Sequence, residues 1–153
     1  VKLSTGVQSV IPDSIRANLI DGCVSWSANR WIVEGEYMYK HYTNSSHKPC
    51  HAYNFFASYY MPIEAGVFNR LSFQGRFDGM TAHSNGKRND DGVLITDNPP
   101  RNRVTVGATI SYYRSKNLFV DLRANYECYF YHHDAVTTPD TGDKAVVELV
   151  LRF

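Results

Sequence analysis

The stretch KAVVELVLRF, residues 144–153, decides the fold, because one parity is wholly apolar and the other carries all three charges. The apolar parity holds Ala145, Val147, Leu149, Leu151 and Phe153, and the other holds Lys144, Val146, Glu148, Val150 and Arg152. A period of two is the signature of a β-strand with two different faces, and it does not fit a helix. Residues 117–131 and 103–113 repeat the pattern, so the sequence predicts three consecutive long strands.

Alternation does not tell which face meets water. A soluble lipocalin-like barrel or a sandwich turns its apolar face inward, whereas an outer-membrane barrel turns it toward lipid and keeps a polar lumen. A tilted membrane strand needs about 9–11 residues, and a typical globular strand has about 5–6. The long strands therefore favour the lipid-facing interpretation. Phe153, an apolar-face aromatic at the end of its strand, looks like the C-terminal insertion signal of many bacterial outer-membrane barrels.

Composition sets the limits on function. The 153 residues suit one domain, residues 1–153, and the formal net charge of +1 indicates no nucleic-acid partner. No run of about eighteen apolar residues is present, which excludes a membrane helix but leaves a membrane barrel open. The 11 Tyr and 8 Phe suit strands and interfacial aromatic girdles. The chain opens on Val1, and we interpret it as a mature or truncated chain.

Upstream of residue 80 the same alternation predicts further strands. They cover residues 19–28, 31–40, 51–61 and 70–78, whereas residues 1–18 are poorly patterned. In the third of these strands both parities carry aromatic residues, since Phe56 and Tyr60 compete with Tyr53, Phe55 and Tyr59 for the apolar face. Both of its faces are therefore expected to be partly covered.

The predicted connections alternate strictly between short and long. Short links are predicted at Asn29, residues 62–66 and residues 115–116, and long ones at residues 43–49, 80–100 and 132–142. An up-and-down barrel places every second connection at the same end, and outer-membrane barrels have short periplasmic turns and long extracellular loops. The stretch 80–101, rich in Asn, Asp, Gly and Pro, is too long for an ordinary link and is predicted to be a functional or mobile loop.

A series of short motifs, taken in order, resembles the C-terminal half of the phosphate-selective porin O and P family, particularly its Bacteroidetes-type members. The motifs are Thr5-Gly6, Ile11-Pro12-Asp13, Glu34-Gly35-Glu36-Tyr37-Met38, Phe77-Asp78-Gly79-Met80, Asn125-Tyr126-Glu127, Tyr129-Phe130-Tyr131 and Leu151-Arg152-Phe153. The resemblance implies a bacterial outer-membrane location, an antiparallel transmembrane barrel of about sixteen strands that is often trimeric, and passage of small anionic solutes.

The strand count limits what this chain does alone, since it supplies only about eight strands. Eight strands enclose an interior just wide enough for side chains, and an aqueous channel appears at about sixteen to eighteen. We therefore interpret the chain as the C-terminal part of a larger porin, a passive channel for small hydrophilic solutes. Two alternatives stay open: a self-closed eight-stranded outer-membrane barrel with a binding or structural role, and a soluble lipocalin-like ligand carrier.

The charged residues on the polar parity are the candidate lining of the pore. They are Arg70, Arg76, Arg103, Arg123, Lys144, Arg152, Glu34, Glu36, Asp78, Asp121, Glu127 and Glu148. In the family that the chain resembles, a ladder of basic residues selects phosphate, and guanidinium groups suit that anion. Here acids roughly match bases, so we expect a mutually neutralised network and do not carry phosphate selectivity over.

Other candidate chemistry is weak. Asn89-Asp90-Asp91-Gly92 offers oxygens to calcium without the spacing of a known calcium loop, and the histidines near residues 41–51 and 132–133 lack partners at metal-ligand spacing. The three cysteines have no CxxC spacing. Ser84 follows His83, but no hydrolase, metalloprotease or nucleotide-binding motif is present. We expect no enzyme, no cofactor and no metal; the expected partners are outer-membrane lipid and the solutes.

Overall fold

The fold is one antiparallel β-sheet whose strands follow one another in chain order. The computed structural model describes residues 1–10, 17–42, 47–84, 86–93, 95, 98–115, 118–131 and 142–152. Within them lie eight strands: β1 (Lys2–Val10), β2 (Ala17–Ala28), β3 (Trp31–Tyr42), β4 (Cys50–Ala65), β5 (Phe68–Met80), β6 (Arg101–Ser115), β7 (Leu118–Tyr131) and β8 (Lys144–Arg152). The predicted all-β, up-and-down arrangement of about eight strands is confirmed.

Short and long connections alternate along the sheet, as predicted. Asn29 and Arg30 join β2 to β3, and Gly66 and Val67 join β4 to β5. Asn29 and Gly66 have positive φ values of 53° and 63°, which tight turns between antiparallel strands require and which Asn and Gly tolerate best. The strand ends that the long connections join, Tyr42 and Cys50, Met80 and Arg101, and Tyr131 and Lys144, all lie at the opposite end of the sheet.

Several predicted boundaries were wrong. Residues 2–10 form β1, although their sequence is poorly patterned, because backbone pairing with β2 supplies the order. Strand β4 continues to Ala65 instead of ending at Met61, with a register shift between Pro62 and Ala65. A bulge accommodates a proline, which has no N–H to donate to a ladder. Ser115 is the last residue of β6, and Phe153 lies outside the described residues.

Strand register carries two distinct faces across the whole sheet. Residues directly opposite each other on antiparallel strands project to the same side. One row of successive partners runs Ser25, Glu34, Phe56, Arg76, Thr105, Glu127 and Lys144, and we call its side the polar face. Another runs Trp31, Tyr59, Phe73, Ala108, Ala124 and Val147, and we call its side the apolar face.

Strand β4, which has aromatic residues on both parities, is divided between the same polar and apolar faces. Tyr53, Phe55 and Tyr59 lie on the apolar face, and Phe56 and Tyr60 lie on the polar face. Its aromatic residues therefore cover both sides of the sheet, as the sequence indicated. The ring of Tyr59 packs on Trp31, with 4.8 Å between centroids.

Burial is inverted relative to a soluble protein. Among the described residues no hydrophobic side chain is buried, and the buried polar residues are Ser72, Ser84, Thr109, Ser111 and Asp121. Ser111 is 1% exposed, whereas Val147 and Leu149 on the apolar face are 72% and 64% exposed. The polar face is the more enclosed side, and the described side chains form no hydrophobic core.

The sheet is open in the part of the chain that is described. Strand β1 pairs with β2 alone and β8 with β7 alone, so both remain edges. No helix in the described ranges is both long enough and apolar enough to span a membrane.

The long connection between β5 and β6 has structure of its own. His83 and Asn98 exchange backbone hydrogen bonds of 3.0 and 3.1 Å, and Ile95 N–H donates to the Lys87 carbonyl at 3.0 Å. A tight turn closes at Asn89, where Gly92 has a positive φ of 74°. Its described residues thus extend the β5–β6 hairpin beyond the sheet.

Candidate functional site

The candidate site is the polar face, which gathers every sequence-predicted lining residue that the structure describes. The members are Glu34, Glu36, Arg70, Arg76, Asp78, Arg103, Asp121, Arg123, Glu127, Lys144, Glu148 and Arg152. The strand parity read from the sequence puts all of them on one side. It does not predict which acid meets which base, because that depends on the register between strands.

A chain of ion pairs crosses β5, β6 and β7 near the long-connection end. Arg76 and Arg103 both contact Asp78, at N to O distances of 2.7 and 3.0 Å, and Arg103 also reaches Glu127 at 3.5 Å. These side chains are partly exposed, so each pair stabilises the fold by no more than about 1 kcal/mol. The main effect of the pairing is to hold the guanidinium groups in place along the face.

Tyr129 extends this network toward the last strand. Its hydroxyl donates to Glu127 Oε2 at 2.6 Å, and the Lys144 ammonium lies 5.4 Å from its ring centroid. A cation over an aromatic face is attracted by the ring quadrupole. Tyr129 is not among the lining residues predicted from the sequence, and its strand parity is the signal that could have placed it on the polar face.

A second cluster lies toward the short-turn end. Arg123 contacts Asp121 at 3.2 Å, and Asp121 is 9% exposed beside the buried Ser111. Asp121 Oδ1 is buried and has no hydrogen-bond partner among the described residues. Arg70 donates to Ser72 at 3.3 Å and stacks over the Tyr60 ring at 4.4 Å.

Between the two clusters, a hydrogen bond bridges across a glycine. Gln74 on β5 donates to Asn125 on β7 at 2.7 Å, and Gly107 of the intervening β6 lies between them in the register. A Cβ at Gly107 would lie within 2.9 Å of the Ala124 carbonyl oxygen and closer still to the Asn125 side chain. Gly107 therefore permits a contact that spans two strand spacings.

The acids of β3 differ from those of β5–β7, since neutral groups hold them. Ser25 donates to Glu34 at 3.3 Å and Asn54 donates to Glu36 at 2.7 Å. Arginines pair with the acids of β5 and β7, which are Asp78, Asp121 and Glu127. The acids of β5–β7 are thus paired with arginines, whereas Glu34 and Glu36 are held by a hydroxyl and an amide group.

The last strand completes the face with exposed charges. Glu148 lies opposite Arg123 and Arg152 opposite Phe119 in the β7–β8 register.

Asp143, just before β8, accepts hydrogen bonds from the Tyr126 hydroxyl at 2.6 Å and the Tyr129 N–H at 3.3 Å. The hydrogen bond from Tyr126 and then that from Tyr129 hold the pKa of Asp143 below its ordinary range.

Two recesses lie along the face. One of about 380 Å³ is lined by Asp78, Arg101, Arg103 and Tyr129, among others, at the long-connection end. A second of about 200 Å³ lies against Phe56, Gln74, Arg76, Thr105, Asn125 and Glu127. Both are open recesses lined by charged and polar side chains, unlike the mostly apolar, enclosing pockets of small-molecule sites.

The residues considered above as weaker candidates for metal binding or catalysis make contacts within the fold. The Asn89 side chain accepts from the Val93 N–H at 2.8 Å inside its turn, and Ser84 Oγ accepts from the Gly86 N–H at 3.1 Å. His51 contacts Tyr37 at 2.5 Å, and His47 stacks on Tyr42. His132 and His133 lie outside the described residues. Across the described ranges, no three His, Cys, Asp or Glu side chains meet as a metal site requires.

No protein-family model matches the chain, and it matches no curated protein and no solved structure.

Proposed function

We propose that this chain is part of the wall of a bacterial outer-membrane porin, a passive channel for small hydrophilic solutes, including anions. The observation that carries the proposal is the inverted burial: serines and an aspartate are the enclosed residues, while leucines and valines are exposed. Hydrocarbon is the environment in which an exposed apolar face is stable, and a polar lumen accompanies it in outer-membrane barrels.

The size of the apolar face argues against water as its neighbour. Eight strands at a spacing of about 4.8 Å, with spanning segments of about 25 Å, give a face on the order of 1,000 Å². Soluble monomers rarely expose contiguous apolar patches larger than a few hundred Å². Leaving such a face in water costs roughly 25 cal/mol for each Å². A lipocalin-like carrier would bury Val147, Leu149 and Leu151, which are 72%, 64% and 55% exposed.

Strand dimensions support the same proposal. The strands run from 9 residues in β1 and β8 to 16 in β4, whereas a tilted membrane strand needs about 9–11. Connections are short at one end and long at the other, as in barrels with periplasmic turns and extracellular loops. We assign the long connections to the outside of the cell.

The open edges β1 and β8 bear on the number of strands in the barrel. Unpaired strand edges cannot face hydrocarbon, because their N–H and C=O groups would lose their hydrogen bonds. We propose that further strands of a larger barrel pair with them, giving about sixteen strands and an aqueous lumen. A self-closed eight-stranded barrel would require β1 to pair with β8. The motif order that resembles phosphate-selective porins agrees with the larger barrel and with a trimer of such barrels.

Planar-bilayer recording tests the proposal. The intact native pore that contains this chain, purified in detergent, should give stepwise, non-rectifying conductance, and reversal potentials in a salt gradient should report its ion preference. A preparation that is soluble without detergent and gives no conductance would reject the proposal.

A further inference from the structure

An apolar aromatic ring lies on the polar face in the middle of β4. Phe56 stands between its register partners Glu34 and Arg76. The residue is half-buried, and within the described ranges it makes no ring contact of the kind that joins Tyr59 to Trp31 on the apolar face. Apolar surface in contact with water carries a free-energy cost, so a solute that covers this ring gains binding free energy.

Two amide side chains that line the same recess as Phe56 have hydrogen-bonding atoms to spare. Gln74 is the diagonal neighbour of Phe56 across β4 and β5, and its Nε2 donates to Asn125 Oδ1 at 2.7 Å. Gln74 Oε1 remains as an acceptor and Asn125 Nδ2 as a donor, with no partner for either in the described part of the chain. Asp121 Oδ1 is the one buried side-chain atom there without a partner, so both amide atoms are open to solvent.

Charges around this recess offset one another. Arg76, Arg103 and Glu127 line it, and Asp78 contacts the two arginines at 2.7 and 3.0 Å. Two bases and two acids leave this part of the wall without net charge, so an ion gains little from it. Guanidinium groups donate hydrogen bonds and carboxylates accept them. A neutral solute with hydroxyl groups, which do both, matches such a wall.

We propose that the recess at Phe56 is a binding subsite for a neutral sugar, whose ring lies on Phe56 and whose hydroxyl groups bond to Gln74 and Asn125. A pyranose has C–H groups on its faces and hydroxyl groups around its edge, and the recess pairs an aromatic ring with free amide atoms in the same way. Its volume of about 200 Å³ is below the roughly 300–1,000 Å³ of drug-sized ligand sites and suits a single sugar ring. Because the recess is open, binding is weak, as passage through a channel requires. The inference rests on the proposed function and adds a substrate class to it.

Ion current through the intact native pore, recorded in planar bilayers at rising sugar concentration, tests the inference. Glucose, a pyranose, is compared with sorbitol, its open-chain alditol, which has the hydroxyl groups but no ring face. Sorbitol also corrects for the effect of dissolved solute on the conductivity of the bulk solution. We expect glucose to reduce the current further, in a saturable way, because a bound sugar obstructs the passage.

Variants at β4 assign the effect to the ring. Phe56→Leu keeps an apolar side chain but removes the flat ring, and it should raise the half-saturating glucose concentration roughly fivefold, the scale for about 40 Å² of lost apolar contact. Phe56→Tyr keeps the ring and should keep the native value. The matched control Phe55→Leu makes the same change at the next residue, on the apolar face, and should leave the glucose effect unchanged.

The comparison of glucose with sorbitol uses the native pore, so it decides the inference whether or not each variant folds. Equal effects of the two solutes, or a half-saturating concentration that Phe56→Leu leaves unchanged, overturn the sugar subsite while the porin proposal stands. Absence of conductance from the native pore overturns the porin proposal itself.

Discussion

Asp78 gives one carboxylate oxygen to each of two arginines. Arg76 donates to Oδ1 at 2.7 Å, and Arg103 donates to Oδ2 through Nε and Nη2 at 3.1 and 3.0 Å. Arg76 lies on the same strand as Asp78, and Arg103 lies directly opposite on β6. One acid thus fixes two guanidinium groups on the enclosed face, and the charge they present depends on it.

Replacing Asp78 tests how the network controls ion preference. Asp78→Asn removes the negative charge shared by Arg76 and Arg103, so the polar face of β5–β8 becomes more positive. We expect the anion-to-cation permeability ratio of the intact pore to rise by roughly a factor of two, because the local potential sets counter-ion concentration. Reversal potentials measure it. Asp90→Asn, a loop change of the same charge, is the control, and equal reversal potentials for all three proteins would contradict the role of Asp78.

A second prediction compares two glycines on opposite faces. Gly107→Ala places a methyl group against Asn125 and breaks its hydrogen bond with Gln74, whereas Gly75→Ala on the apolar face meets nothing within 4 Å. We expect Gly107→Ala to lower the free energy of unfolding by about 1–3 kcal/mol, the usual cost of overpacking. Gly75→Ala should be neutral. Denaturant midpoints of the reconstituted protein measure both, and equal midpoints would contradict the packing described at Gly107.

We predict that the stability of the start of β8 depends on pH through the carboxyl group of Asp143. Since hydrogen bonds from Tyr126 and Tyr129 lower its pKa, its contribution to stability is present above the ordinary aspartate value and is lost as pH falls through the lowered one, below about 4. Carbon-13 NMR of the labelled carboxylate follows the titration. Tyr126→Phe removes the largest cause and should raise the pKa toward the ordinary value. Identical titration curves for wild type and variant would reject the assignment.

Neighbouring residues of β8 offer a matched test of the two faces. Leu149→Arg puts a charge on the apolar face, at a cost of about 2–4 kcal/mol if that position lies at the bilayer midplane. Val150→Arg changes the next residue on the polar face, opposite Asp121 on β7, and should be tolerated. Folding yield into vesicles, read from heat-modifiable gel mobility, compares them. An equal loss of folding yield in both variants would contradict the claim that residues 149 and 150 face different environments.

The sequence predicts side-chain faces better than contacts. Parity alone placed Glu34, Arg103 and Glu148 on one face, because the period of two holds however the strands pair. It could not pair Asp78 with Arg103, 25 residues apart, because cross-strand partners depend on register. Strand β1 was missed since its side chains carry little pattern and its order comes from backbone pairing with β2. The extension of β4 was missed because Pro62 resembles a strand end.

The orientation of the sheet is the central claim, and site-directed spin labelling along β8 tests it most directly. Single nitroxide labels at residues 146–150 of the intact pore in liposomes would be scanned for collision with oxygen, which concentrates in lipid, and with a water-soluble nickel chelate. The account predicts oxygen maxima at residues 147 and 149 and nickel maxima at residues 146, 148 and 150. The opposite phase, with residues 147 and 149 shielded from lipid and residue 148 in contact with it, would contradict it.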